Sequence, residues 1–506
     1  MTSHDPTDPT PEPTAPADDR TGDHRTGDRT GDSATGARSA TRADWSEDDG
    51  SHPESGAERA TSDQSTATGA TTATAPVAAA EGGEGAAPPP IAAPAGGGLV
   101  KDESSATVLH RIFSGNGLVA VLSVVLAVIL GGILIAATDE PTVTAAGYFF
   151  ARPMDTISAG FTAAMNAYAA LFTGAIVNPQ AEDLTGMLYP ISETLTVATP
   201  LILAGLGVTL AFRAGLFNIG AQGQILLGAT FAAWVGFTWH LPVGLHIVVA
   251  VLAAIVGGAI WGGIPGFLKS RTGAHEVIVT IMLNYVAIYL VQYLLTQPAF
   301  QRPGSSNPIS PLVDDSAMFP QLLGPDLRLH AGFLVAVAAV VVVWWLLSRS
   351  TIGFEFRAVG ANLHAARTAG INTTRATVLV MVIAGALAGL AGVAQVSGTE
   401  RALTSDIAAS FGFDAITVAL LGRSTPWGTF FAGLLFGAFR AGGVAMQTQT
   451  GTPIDIVLVV QSLIVLFLAA PPLVRALFRI PDPGSPGKSR RRTRRAAATA
   501  STGGAA

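Results

Sequence analysis

Asn218, Gln222 and Gln224 put three neutral amides into residues 215–224, within an otherwise apolar stretch. Asn218 and Gln222 are four apart, so in a helix they share a face. An amide at membrane depth must find a partner, either on a neighbouring helix or in a polar solute moving through a water-filled path. Both uses are open on the residues alone. Glu276, Thr280 and Asn284 repeat the pattern four apart on one helical stripe, with the same two uses. The six together form the candidate translocation path.

A third polar stretch, residues 353–372, lies between two apolar ones. Asn362 is a good helix cap, residues 363–369 favour helix, and Gly370 is a stop. A short helix with so defined a start and end suits docking into a groove on another protein. Catalytic chemistry has no comparable footing. The chain contains no phosphate loop, no His-Glu-x-x-His and no Gly-x-Ser-x-Gly, and its nine histidines are scattered. No cofactor or metal site is expected and the chain is not expected to be an enzyme. Uphill transport would draw on an ion gradient or on a separate ATPase. Ion coupling calls for an ionisable group in mid-membrane. Glu193, Glu276, Asp414 and Asp455 are expected near the ends of their spans, which argues against it. Arg440 is the charge expected well inside a crossing, with Asp414 or Asp455 as its partner.

The elements that must hold these residues are membrane spans. Of 506 residues 49% are hydrophobic and 13% charged, with a mean hydropathy of +0.45. The averages combine two unlike pieces. Residues 1–100 carry 17 acidic and 6 basic side chains, and an Arg-Thr-Gly-Asp tract recurs across 20–32. With few large apolar side chains this head is expected to be disordered. Without cysteine the chain has no disulfide framework. No cleavable signal peptide is expected, and 117–137 reads as a retained anchor. Further spans are expected near 190–212, 215–236, 242–267, 276–297, 331–348, 376–396, 411–422, 427–447 and 454–474, ten in all. The segment 411–422 is short for a crossing, and 155–177 is diluted by Asn166, Thr162 and several alanines. An all-α polytopic bundle is the fold these spans imply.

Ten crossings place Arg213, Lys269, Arg271, Arg349, Arg357, Arg367, Arg375 and Arg423 on one side with both termini. Asp314, Asp315 and Asp326 fall on the other. The positive-inside rule makes the first side cytoplasmic. The Arg-rich run at 490–495 is expected to contact anionic lipid rather than nucleic acid. Gly258, Gly262 and Gly266, Gly385 and Gly389, and Gly433 and Gly437 are spaced by four, as close helix packing in lipid requires. The expected organisation is an acidic tail at 1–105, a membrane domain at 106–480 with a loop at 349–375, and a basic tail at 481–506.

Four motifs occur in one order: G-L-F-N-I-G-A-Q-G-Q, E-V-I-V-T-I-M-L-N-Y, R-A-V-G-A-N-L-H-A-A-R-T-A-G-I-N and G-F-D-A-I-T-V-A-L-L-G-R. The combination, across about 110–475, closely resembles ABC-importer permeases of the ribose, branched-chain amino acid and nucleoside type. The first motif is most similar to basic-membrane-protein-associated nucleoside uptake systems. The resemblance implies that residues 357–372 form the coupling helix, with Arg357, Gly360, Asn362, Ala366, Gly370, Ile371 and Asn372 meeting the ATPase. It also implies ATP bound by that partner and a central path shared with a second homologous permease. An extracellular solute-binding lipoprotein completes the set of expected partners. A nucleoside is the solute expected first, and a simple sugar of the ribose type is the alternative.

Overall fold

Glycine decides how the helices of this bundle approach one another. A Cβ on Gly258 would overlap the Gly385 carbonyl oxygen and lie 2.8 Å from Gly389 Cα. A Cβ on Gly385 would in turn overlap the Gly258 carbonyl and stand 2.9 Å from its carbon. Ala254, Gly258 and Gly262 on one helix meet Gly389, Gly385 and Met381 on the other, so the two run antiparallel with backbones touching. Lipid offers little hydrophobic drive between helices, and this contact replaces it with dispersion over two bare backbones.

The computed structural model describes residues 116–478. The acidic head, the carboxyl-terminal basic run and most of the two expected tails lie outside those residues. In chain order the helices are α1 Asn116–Thr138, α2 Glu140–Ala146, α3 Pro153–Ala175, α4 Leu184–Arg213, α5 Ala221–Thr238, α6 Leu245–Thr272 and α7 Glu276–Leu295. They continue with α8 Gly332–Arg349, α9 Thr351–Ala361, α10 Leu363–Thr368, α11 Thr373–Gln395, α12 Phe411–Leu421, α13 Pro426–Thr450, α14 Ile454–Ala469 and α15 Pro471–Leu477. A wide turn, Val396–Glu400, extends α11. Among the described residues there is no β-strand.

Among the described residues seven helices are long and apolar enough to cross a membrane: α1, α4, α6, α7, α8, α13 and α11 with its extension. Of the other three expected spans, 411–422 and 454–474 contain the shorter apolar helices α12 and α14, and 215–236 holds most of α5, 18 residues long and less apolar than the seven. Residues 155–177 fall on α3, a continuous helix of 23 residues packed on α1 and α13. The centre is α4, where Leu201, Ile202, Leu203 and Ala204 are all fully buried, so the helix is surrounded on every side. Pro190 and Pro200 interrupt its hydrogen-bond ladder, and Thr196 and Thr199 hydroxyls bond to the carbonyls of Ser192 and Leu195 at 2.8 Å nearby. α4 begins six residues earlier than its apolar run suggests. Glu193 therefore sits at the tenth helical position, paired with Arg328 of residues 296–331 at 3.1 Å.

Opposite the 349–375 end, residues 296–331 form an irregular cap. It is closed on itself by the bridge Gln321 to His330 and tied to the segment after α11 by the bridge Ile309 to Thr404 and the ion pair of Asp315 with Arg401. His330, in this cap and outside the membrane helices, is buried and stacked on Phe319 at 5.6 Å. Its Nδ1 accepts from the Gly332 N–H at 3.1 Å. Burial, with Arg328 nearby, pushes its pKa down to about 4. The folded ring thus stays neutral where an unfolded histidine, with its ordinary value of 6.5, takes up a proton. This contribution to stability is full above pH 6.5 and is lost as the pH falls to 4, by about 3 kcal/mol in total. Thermal unfolding in detergent across that window is expected to show the loss. His330→Asn, which keeps an acceptor for Gly332, is expected to flatten it.

Candidate functional site

After α4 the chain turns at Gly215, whose φ of +72° lies in the left-handed region, and runs extended before α5 starts at Ala221. Asn218 is therefore not on the helix, and it shares no helix face with Gln222. The reason is local: the Asn218 carboxamide oxygen accepts the Gly220 N–H at 3.1 Å, holding the backbone in a turn. Asn218 Nδ2 also donates to Gln224 Oε1 at 3.0 Å, and Gln224 Nε2 donates back to Asn218 Oδ1 at 3.1 Å. Asn284 on α7 accepts the Gly223 N–H at 2.9 Å and donates to the Ile219 carbonyl at 2.9 Å. Backbone groups freed by the helix break thus find amide partners inside the protein.

Gln222 joins this break to a second one. Its Nε2 donates to the Ala409 carbonyl at 2.6 Å and its Oε1 accepts the Gly412 N–H at 3.0 Å. Ala409, at φ +38°, ends the irregular segment that follows α11, and α12 starts two residues later. Two short helices, α5 and α12, begin against each other with Gln222 between them. Thr280 bonds back to the Glu276 carbonyl at 2.7 Å and packs on Gly220. Glu276 pairs with Lys269 at 2.5 Å, at the junction of α6 and α7. All six path candidates are buried. Asn218, Gln222, Gln224 and Asn284 converge on residues 216–223, with Thr280 beneath them and Glu276 a turn further away.

At the 349–375 end, Ser350 caps α9 through the Gly353 N–H at 2.9 Å, and Asn362 caps α10 through the Ala365 N–H at 3.0 Å. Gly370, at φ +85°, ends the turn, and Asn372 caps α11 through the Arg375 N–H at 3.0 Å. Ala366 is buried and accepts from the Ile371 N–H at 3.0 Å, while Asn362, Leu363, Gly370 and Asn372 are exposed. Gly360 lies directly on the turn after α4: a Cβ there would overlap the Arg213 carbonyl and stand 2.9 Å from Gly215 N. Arg213 also donates to the Ser424 carbonyl at 2.6 Å. Arg357 shares a small cavity with Arg213, Trp344 and Trp427. The polar loop, the break before α5 and the end of α12 are therefore in mechanical contact.

Arg440 pairs with Asp414, one of its two expected partners, at 3.4 Å. Ser410 bridges the pair, contacting Arg440 and donating to Asp414 at 2.9 Å, and the guanidinium lies 4.6 Å over the Phe411 ring. A cavity of about 760 Å³ opens above this group, among α3, α4, α13 and α14. None of the six path candidates lines it. Its polar wall includes Asn178, Tyr189, Glu193, Arg328, Thr448 and Gln461 as well as Arg440. Sequence reasoning passed over Gln461, although a lone amide within the strongly apolar run of α14 is a visible signal.

A membrane-embedded helical bundle with two broken helices, coupled at one end to an exposed pair of capped short helices, defines a transport permease. The chain belongs to the permease family described as the branched-chain amino acid transport system / permease component, whose model matches residues 190–469. It is similar to the guanosine ABC transporter permease protein NupP of Bacillus subtilis, 39% identical over 309 residues, 61% of this chain and 86% of that one. The glucose ABC transporter permease protein TsgB13 of Haloferax volcanii is 40% identical over 297 residues, 57% of this chain and 77% of its own. The nucleoside ABC transporter permease protein NupB of Lactococcus lactis is 37% identical over 293 residues, 56% and 80% of the two chains. No solved structure matches the chain.

Proposed function

We propose that this permease moves nucleosides inward as one of two homologous membrane subunits of an ATP-binding-cassette importer. The observation that carries the reading is the similarity to guanosine and nucleoside permeases over most of their length. Neutral amides and hydroxyls, which dominate the polar interior, suit an uncharged solute with many hydrogen-bonding groups. An ATPase subunit binds the nucleotide and docks on residues 349–375, with Arg357, Gly360, Asn362, Gly370, Ile371 and Asn372 at the contact and the buried Ala366 packing the short helix beneath it. The end bearing Arg213, Lys269, Arg349 and Arg423 faces the cytoplasm, as do both termini. A solute-binding lipoprotein delivers the solute to the opposite face.

In this reading the six buried polar residues act on the path by position. ATPase closure favours one permease state over the other only if the two states meet the ATPase differently. A displacement at Gly360 bears on the 213–215 turn, and from there on Asn218, Gln222 and the start of α12. The test is ATP-driven uptake by the importer reconstituted in proteoliposomes. Guanosine uptake is expected, competed by other nucleosides and not by ribose or glucose. ATP-driven glucose uptake that nucleosides leave untouched overturns the assignment.

A further inference from the structure

The cavity among α3, α4, α13 and α14 contains two buried acceptors that the protein leaves unused. Gln461 Oε1 and Glu193 Oε1 have no hydrogen-bond partner, and both residues line the cavity. Gln461 is only 6% exposed, so bulk water does not satisfy it. A buried acceptor without a donor is costly, and native proteins keep one where a water or a ligand completes it. The volume, about 760 Å³, is that of a small-molecule site.

The charges narrow the ligand. Arg328 at the mouth is paired with Glu193 at 3.1 Å, and Arg440 at the floor with Asp414. Each cation is already neutralised, so an anionic solute meets no free counter-charge and a cationic one gains only half of a used carboxylate. A neutral solute with hydroxyl or amino donors does gain, once side chains turn toward it, from two acceptor oxygens left unused by the protein. Tyr189 at the mouth and Phe411 beside Arg440 supply aromatic surface for a planar ring.

We propose that this cavity is a solute-binding stretch of the translocation path, in which Gln461 and Glu193 accept hydrogen bonds from the hydroxyl and amino groups of a nucleoside. The proposal rests on the nucleoside reading above for the identity of the solute, and on the cavity for its place. The chain has no cysteine, so Thr448→Cys puts a single thiol on the cavity wall. The importer, assembled with cysteine-free partner subunits, is treated with a small membrane-impermeant thiol reagent with and without guanosine. Labelling slowed several-fold by guanosine is expected. Gln461→Leu is expected to lower kcat/KM for guanosine uptake about tenfold at equal membrane abundance, and Gln461→Asn, which keeps a neutral amide acceptor, to recover part of it. Labelling that guanosine does not slow, or Gln461→Leu uptake at the wild-type rate, overturns the proposal. Should Gln461→Leu fail to accumulate, the labelling result decides. If the wild type transports a different solute, the nucleoside assignment fails alone, and that solute takes the place of guanosine in both measurements.

Discussion

Gly360→Val is expected to abolish ATP-driven uptake while the protein still inserts in the membrane at normal abundance. The atoms that meet a new Cβ at 360 are backbone: the Arg213 carbonyl, the Ala214 carbonyl carbon at 2.9 Å and Gly215 N at 2.9 Å. No side chain can rotate away to make room, so α9 must lift off the turn that leads into α5. Gly360 is exposed on its other side and the core beneath is untouched, which is why insertion survives. A misplacement of about 1 Å in a positioned assembly costs on the order of a hundredfold in rate, and a loss of that size is expected here. Gly370→Ala is the comparison. Nothing lies within 4 Å of a Cβ at 370, and only the φ of +85° opposes it, at a cost of about 1 kcal/mol. Uptake by Gly370→Ala should fall only a few-fold. Wild-type uptake by Gly360→Val would remove the claim that this contact transmits the ATPase state.

Gly385→Leu is expected to unfold the bundle rather than impair its cycle. Four side-chain carbons would enter a seam where α6 and α11 already touch backbone to backbone, with Gly258 C at 2.9 Å and Gly262 Cα at 3.0 Å. Overpacking usually costs about 1–3 kcal/mol because neighbours can shift. Here the neighbours are main chain, and α11 is also pressed against α5, where a Cβ on Gly228 would overlap Gly389. The cost is expected to exceed about 3 kcal/mol, in the range that removes most of a native state. Thermal unfolding in detergent and yield from membranes measure it. Gly263→Leu on α6 meets only the Val382 Cγ2 at 3.2 Å and should be tolerated far better. Equal stability of the two variants would show that the glycine seam does not hold the helices together.

Much of the architecture was legible in the residues because it depends on short-range rules. Apolar runs of span length located the seven helices that are long and apolar enough to cross, since burial in lipid is a property of each segment by itself. Asn362 and Gly370 marked the ends of the short helix at 363–368, since a cap and a left-handed stop act within a few residues. The glycines spaced by four announced close packing, although not that α6 and α11 would be the pair.

The amides were a different matter. Their spacing read as one helix face, and the chain instead breaks at 216–220, where the Asn218 turn is held by Gln224 and the Ile219 carbonyl by Asn284, 65 residues away in sequence, while Gln222 reaches Ala409 and Gly412, 187 and 190 residues away. The same holds for Glu193, whose partner Arg328 lies 135 residues away, and for Gln461, whose unused oxygen becomes visible only when three other helices enclose it. The sequence by itself determined that this is a polytopic permease with a structured loop at one end. Only the tertiary structure decided where the helices break and which polar groups are left for a solute, because a hydrogen bond is satisfied by whatever lies 3 Å away and not by what lies near in the chain.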